Sequence, residues 1–177
     1  MNATNNASAI FSEFKSVAVR FCDIVNSSEV YEKTEFLLKI YAVLPERIQQ
    51  GVKLPDLGVD DDETAREPEQ TRLTDREWEH LDESLKAKLG GWNLYMDVFD
   101  PTRDNEAIRG SLADDIADIY RDVKEGIDQP DPGVAMQRDT IWTWRLLYYS
   151  HWGQHAMGAL RTIHWLLANE PEFVSFH

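Results

Sequence analysis

The sequence predicts an all-α fold, an up-and-down bundle of about five main helices with the C-terminal one central, on three observations. Apolar residues recur three and four positions apart through almost every apolar segment, which is the helical period. Capping residues and Gly or Pro stops bracket those segments. Strand-like alternation is weak and confined to Trp92, Leu94, Met96 and Val98. The 177 residues are the size of one domain, read as 1–177, and no repeat divides them.

A first helix over about Ala9 to Val25 turns Ile10, Phe14, Val17, Phe21 and Ile24 to one side. A second starts after Ser27 or Ser28 as cap, with Glu29 and Glu32 favourable in its first turn. Its apolar stripe is Val30, Leu37, Tyr41, Leu44 and Ile48, Pro45 should kink or break it, and Gly51 ends it. Residues 52–72 read as an acidic surface loop, since Asp60-Asp61-Asp62-Glu63 repel one another and no apolar period accompanies them.

Thr74-Asp75-Arg76-Glu77 is a capping box for a third helix that buries Trp78, Leu81, Leu85 and Leu89 and stops at Gly90-Gly91. Trp92 to Phe99 is apolar but short, a helical turn or two. Ser111 caps a fourth helix with the stripe Leu112, Ile116, Ile119, Tyr120, Val123 and Ile127, ended by Gly126 and Pro130. The last helix begins at Asp131-Pro132 or Asp139-Thr140 and runs to about Ala168. It is apolar nearly all round, which is the mark of a central helix.

Composition narrows the function. Hydrophobic residues at 42% make this a folding chain, and a net charge of -14 disfavours binding to nucleic acid or to anionic lipid. A protein partner or a small ligand is compatible with it. Cys22 is the single cysteine, so no intrachain disulfide forms, and its apolar surroundings read as core. Met1 to Ser8 has no signal-peptide pattern, and Arg145, His151, Gln154, Arg161 and His164 interrupt the most apolar stretch too often for a membrane span. These features predict a cytoplasmic protein.

Two constellations carry potential chemistry. His151 and His155 are four apart, project from one helical face and are candidate metal ligands. On the fourth helix, Asp115 and Asp122 flank the apolar stripe, where they could meet Arg145, His151 or His155, while Asp114 and Asp118 point away from it. Glu29, Glu32 and Glu35 have magnesium-site spacing, and Glu77 and His80 have di-iron spacing. Glu32, Glu35 and His80 lie opposite their apolar stripes, so both motifs read as surface. No phosphate loop, dinucleotide fingerprint or nucleophile elbow occurs.

Phe36 to Pro45, Phe99-Asp100-Pro101, Ser111 to Gly126 and Trp144 to His155 together resemble a bacterial family known as a domain of unknown function. The resemblance implies a compact helical domain and no activity. Asp114-Asp115-Ile-Ala-Asp118-Ile also resembles half of the all-α nucleotide pyrophosphohydrolase signature, which would use magnesium on Asp115, Asp118 and Glu32. The His151/His155 pair resembles metal-binding bundles with a histidine triad, but His164 falls on another side of the helix. The sequence thus favours a non-catalytic binding or interaction module, with an exposed aromatic patch expected from Trp92, Tyr95 and Phe99. The alternatives are a magnesium-dependent hydrolase and a metal-binding bundle, and the sequence specifies no cofactor.

Overall fold

A computed structural model describes residues 3–57, 73–98, 100, 102–103, 105–128 and 133–174. The chain is a helical bundle with one small hairpin. Helix α1 spans Ala3–Asn26 and α2 Lys33–Lys53. Ser28–Val30 forms a short 3-10 turn between them, so α2 begins after Glu32 and not after the serines. Pro45 does not break α2. It sits on the exposed side, where water can satisfy the carbonyl its missing N–H would have bonded, while Leu37, Ile40 and Leu44 pack the other side. The helix also runs past Gly51, and Leu54 beyond it is buried, so the loop expected over 52–72 begins later. Most of that loop, 58–72, lies outside the described residues, as does Pro130.

Helix α3, Asp75–Leu89, carries the expected capping box, and Gly90 stops it at φ 57°. Trp92 to Val98 departs from the helical expectation. Leu94–Asp97 is strand β1, paired antiparallel with β2, Ile108–Ser111, Leu94 opposite Ser111 and Tyr95 opposite Gly110. The weak alternation was therefore the correct signal. Ser111 caps α4, Leu112–Ile127, by accepting from the Asp114 N–H. Buried Asn93 accepts from the Ala113 N–H at 2.9 Å, which ties the hairpin to the start of α4. Gly126 does not end α4. It lies within the helix, against Trp144.

The predicted long last helix is two. Helix α5, Val134–Ser150, starts after Gly133 and runs through Asp139-Thr140; Asp131-Pro132 lies outside the described residues. Helix α6, Trp152–Asn169, follows a break at His151, whose φ of -148° and ψ of -89° are not helical. Gly153 makes the break possible, because a methyl there would land on the Tyr148 carbonyl oxygen. The Trp152 indole N–H spans the break to the Trp144 carbonyl at 3.1 Å. A short helix α7, Pro171–Val174, lays Phe173 on Trp92.

Helix α4 occupies the middle, packed on α6, α3 and α1. Its stripe of Leu112, Ile116, Ile119 and Val123 joins Phe14 and Phe21 of α1, Phe36, Ile40 and Leu44 of α2, and Trp152 and Ile163 of α6 in one core. Among the described residues no helix is long and apolar enough to cross a membrane. Cys22 is buried in that core.

Candidate metal centre

The polar exception to this packing is the contact of α4 with the α5–α6 break. Asp115, Asp118 and Asp122 follow one another at i, i+3 and i+7, which aligns them as a ridge on one side of α4. All three are buried. His151 and His155 face them from across the contact, their ring centroids 4.8 Å apart.

Each histidine places one ring nitrogen on an aspartate. His151 Nδ1 lies 2.6 Å from Asp122 Oδ2, and His155 Nδ1 lies 2.8 Å from Asp115 Oδ1. An ionised carboxylate only accepts, so each Nδ1 carries the proton. In the neutral ring that leaves Nε2 as a bare lone pair. Both Nε2 atoms face the same oxygen: Asp118 Oδ2 is 3.7 Å from His151 Nε2 and 3.4 Å from His155 Nε2. The other oxygen, Oδ1, is bound by Arg121 Nη2 at 2.7 Å.

The electrostatics follow from burial. Desolvation raises the Asp115 carboxyl pKa against the opposing hydrogen bonds from His155 and Tyr95, and raises Asp122 against His151. It also raises Asp114, with repulsion from Asp118 adding to it. Burial alone would lower His155. Its bond to Asp115 and the charges of Asp115, Asp118 and Asp114 outweigh that and leave it raised.

Tyr95 completes the framework. Its hydroxyl donates to Asp115 Oδ2 at 2.7 Å, the oxygen that His155 leaves free. The ring enters through a slot between two glycines. A methyl on Gly110 would strike the ring, and one on Gly158 would sit 2.7 Å from the hydroxyl. Tyr95→Phe is therefore expected to cost about 1.5–3 kcal/mol, the worth of a hydrogen bond to a charged group. Gly158→Ala should cost a similar amount by pushing the hydroxyl off Asp115. Thermal melts of both variants check this, and unchanged melting in Tyr95→Phe would refute it.

The structure thus brings together Asp115, Asp122, His151 and His155 as the sequence suggested, and corrects three readings. Arg145 is not at this site: it donates to the Leu54 carbonyl at the end of α2 and lies over the Tyr149 ring. Asp118 does not point away from a neighbour. Helix α4 is covered on several sides, so the flank of its stripe is interior too, and Arg121 neutralises the carboxylate there. Tyr95 turns inward and Trp92 is half-buried between Phe173 and Lys33, so the expected aromatic patch does not form; Phe99 lies outside the described residues. Leu94 and Met96 are the exposed residues of that strand.

Glu29, Glu32 and Glu35 are exposed, Glu77 serves as the capping partner of Thr74, and His80 is exposed, as read from the sequence. Among the described residues no group of three metal-competent side chains includes Glu32, so the divided magnesium motif does not assemble. His164 bonds the Tyr41 hydroxyl at 3.0 Å, away from the histidine pair.

Fold and site together define a helical bundle with two histidines and one carboxylate gathered where its central helix meets a helix break. The chain belongs to the family described as "Domain of unknown function (DUF5063)", which it matches over residues 5–169. The likeness read from the sequence is to a family of this kind. The chain is also similar to a crystal structure of protein BF1032 from Bacteroides fragilis. The two share 23% identity over 90% of this chain and 92% of that one, with a TM-score of 0.74, which shows a common fold. No curated protein matches the chain.

Proposed function

We propose that this chain is a metal-binding helical domain, holding one divalent transition-metal ion on Asp118 Oδ2, His151 Nε2 and His155 Nε2. One observation carries the reading: the Nε2 atoms of two imidazoles converge on one carboxylate oxygen. With both rings neutral these are three acceptors facing one another, an arrangement that a cation among them relieves. A proton fits poorly, because 3.4 and 3.7 Å exceed the ~2.8 Å of a charge-assisted hydrogen bond. A zinc-like ion with ligand bonds of ~2.0–2.1 Å in tetrahedral geometry spaces its ligand atoms ~3.4 Å apart, close to the two nitrogen–oxygen separations here. The Nδ1–H bonds to Asp115 and Asp122 are the outer partners that metal-bound histidines need. Two nitrogens and one oxygen suit Zn2+ or another borderline ion better than Mg2+ or Ca2+, which prefer oxygen alone.

The domain is then a binding module whose ligand is an ion. Its net charge of -14 supports a reading without nucleic-acid or anionic-membrane partners, and its one buried cysteine is in keeping with the cytosol.

Purified protein, stripped and reloaded with Zn2+, is expected to hold one equivalent by elemental analysis. Asp118→Asn and the double variant His151→Ala/His155→Ala should hold none while keeping wild-type helicity by circular dichroism. Asp122→Asn should weaken binding about 10- to 100-fold through its histidine. Folded wild-type protein that takes up no stoichiometric transition metal overturns the proposal.

A further inference from the structure

Three protein donors leave a tetrahedral ion one ligand short. The neighbouring groups do not supply the fourth. Asp118 Oδ1 is taken by Arg121, both oxygens of Asp115 are taken by His155 and Tyr95, and Asp122 is spent on His151 Nδ1. Asp114 groups with Asp115 and His155, and not with His151 and Asp118. Solvent approaches the site from the histidine side, where the His151 side chain is 35% exposed and that of His155 23%.

We infer that the bound ion keeps one exchangeable position on the exposed side of the histidine pair, and that this position takes a small monoanionic oxygen ligand, of carboxylate or hydroxamate class, steadied by Arg121. The inference rests on the metal reading above. A dication with one carboxylate and two neutral imidazoles retains a net positive charge, and the Asp118 carboxylate places the Arg121 guanidinium only its own width from the ion. Arg121 Nε and the Trp78 indole Nε1 are buried without hydrogen-bond partners, and the guanidinium lies 5.3 Å from the Trp78 ring. The guanidinium charge, held 2.7 Å from Asp118 Oδ1, favours an anionic oxygen ligand on the ion. The opposing charges set its limit. Asp114 faces the same side, while Asp82 is paired with Lys86 and Asp115 and Asp122 with the histidines. A dianion such as phosphate meets Asp114 unscreened, and a monoanion meets less repulsion.

Cobalt-loaded protein tests this, because Co2+ reports its coordination in the visible spectrum. Acetohydroxamate and acetate should each give a saturable spectral change in wild type, and phosphate a change only at far higher concentration. Arg121→Leu should weaken acetohydroxamate binding by about tenfold or more. Should that variant lose Co2+, Arg121→Lys, which keeps a cation beside Asp118, should bind Co2+ and still bind the hydroxamate more weakly than wild type. Stoichiometric Co2+ whose spectrum neither hydroxamate nor acetate changes means a closed structural site, which overturns this inference and leaves the metal reading standing. Arginine variants that bind hydroxamate as wild type does overturn the role of Arg121. Absence of Co2+ binding in wild type removes the metal reading itself.

Discussion

Replacing Arg47 with Met is expected to stabilise the protein by about 2 kcal/mol, a rise in Tm of about 4–8 °C. Arg47 is fully buried, and its Nε and both terminal nitrogens lack hydrogen-bond partners. The guanidinium lies between the Phe14 ring at 4.1 Å and the Trp152 ring at 4.8 Å. Contacts of this kind return up to about 2 kcal/mol each when desolvated. Burying an unpaired ion costs several kcal/mol, and the forgone hydrogen bonds add to that. The cost wins, and Met fills most of the same volume between the rings. A lower Tm in the variant would show that the aromatic contacts outweigh desolvation.

The same residue has a pH signature. Burial lowers the Arg47 pKa from 12.5 to about 9. Between those values the unfolded chain binds more protons than the folded one, so this group makes stability rise with pH. Burial raises the Cys22 thiol from 9.0 to about 12, and the folded chain then binds more protons, so that group makes stability fall over nearly the same window. The two slopes oppose each other in the wild type. Relative to it, Arg47→Met should lose stability between about pH 9 and 11 and Cys22→Ala should gain it, as read from denaturation midpoints. Parallel pH profiles for all three proteins would sink the assignment.

Gly153→Ala is expected to act in the opposite direction, costing about 3 kcal/mol or more and lowering Tm by about 6–12 °C. The added methyl meets the Tyr148 carbonyl oxygen, which belongs to the backbone of α5 and cannot swing aside. At Gly126 the clash is with the side chains of Trp144 and Thr140, which can rotate, so Gly126→Ala should cost less. A methyl on Gly91 would meet no atom within 4 Å, and the Gly91→Ala variant should stay within about 0.5 kcal/mol of wild type. Gly153→Ala also forces the break at His151 to move, so metal uptake should fall with stability. Equal melting of the Gly153 and Gly91 variants would contradict this account of the break.

Much of the fold was legible because helical period and capping chemistry are local. Thr74 with Glu77, and Ser111 before Leu112, mark their helix starts by side chains that reach only three residues. The break at His151 was not legible, because apolar residues continue through it and the cause is a backbone clash at Gly153. The hairpin was faint because β1 and β2 are four residues each, and Leu94 and Met96 alternate with the half-buried Tyr95 and Asp97.

The site was legible in part. Both histidines and two of the aspartates stood out by spacing. Asp118 was missed by judging exposure from the centre of one stripe, although its i, i+3, i+7 relation to Asp115 and Asp122 was in view. Tyr95 reaches the site from a strand, and no local pattern joins it to the helix, whereas Arg121 pairs with Asp118 at i, i+3 and was overlooked with it.

The ligand set also has a thermodynamic consequence. Asp118 lies within α4, while His151 and His155 follow the end of α5, so the three nitrogen and oxygen atoms meet only when α4 and α6 have packed. An ion held by all three distinguishes the native chain from the denatured ensemble, and by mass action its binding is converted into folding free energy. At a free-ion concentration of about 100 times Kd that amounts to about 2.7 kcal/mol. Under the proposed metal reading, the marginal stability of this protein in a cell would be a function of metal supply, and scarcity of the ion would be felt first as turnover of the polypeptide.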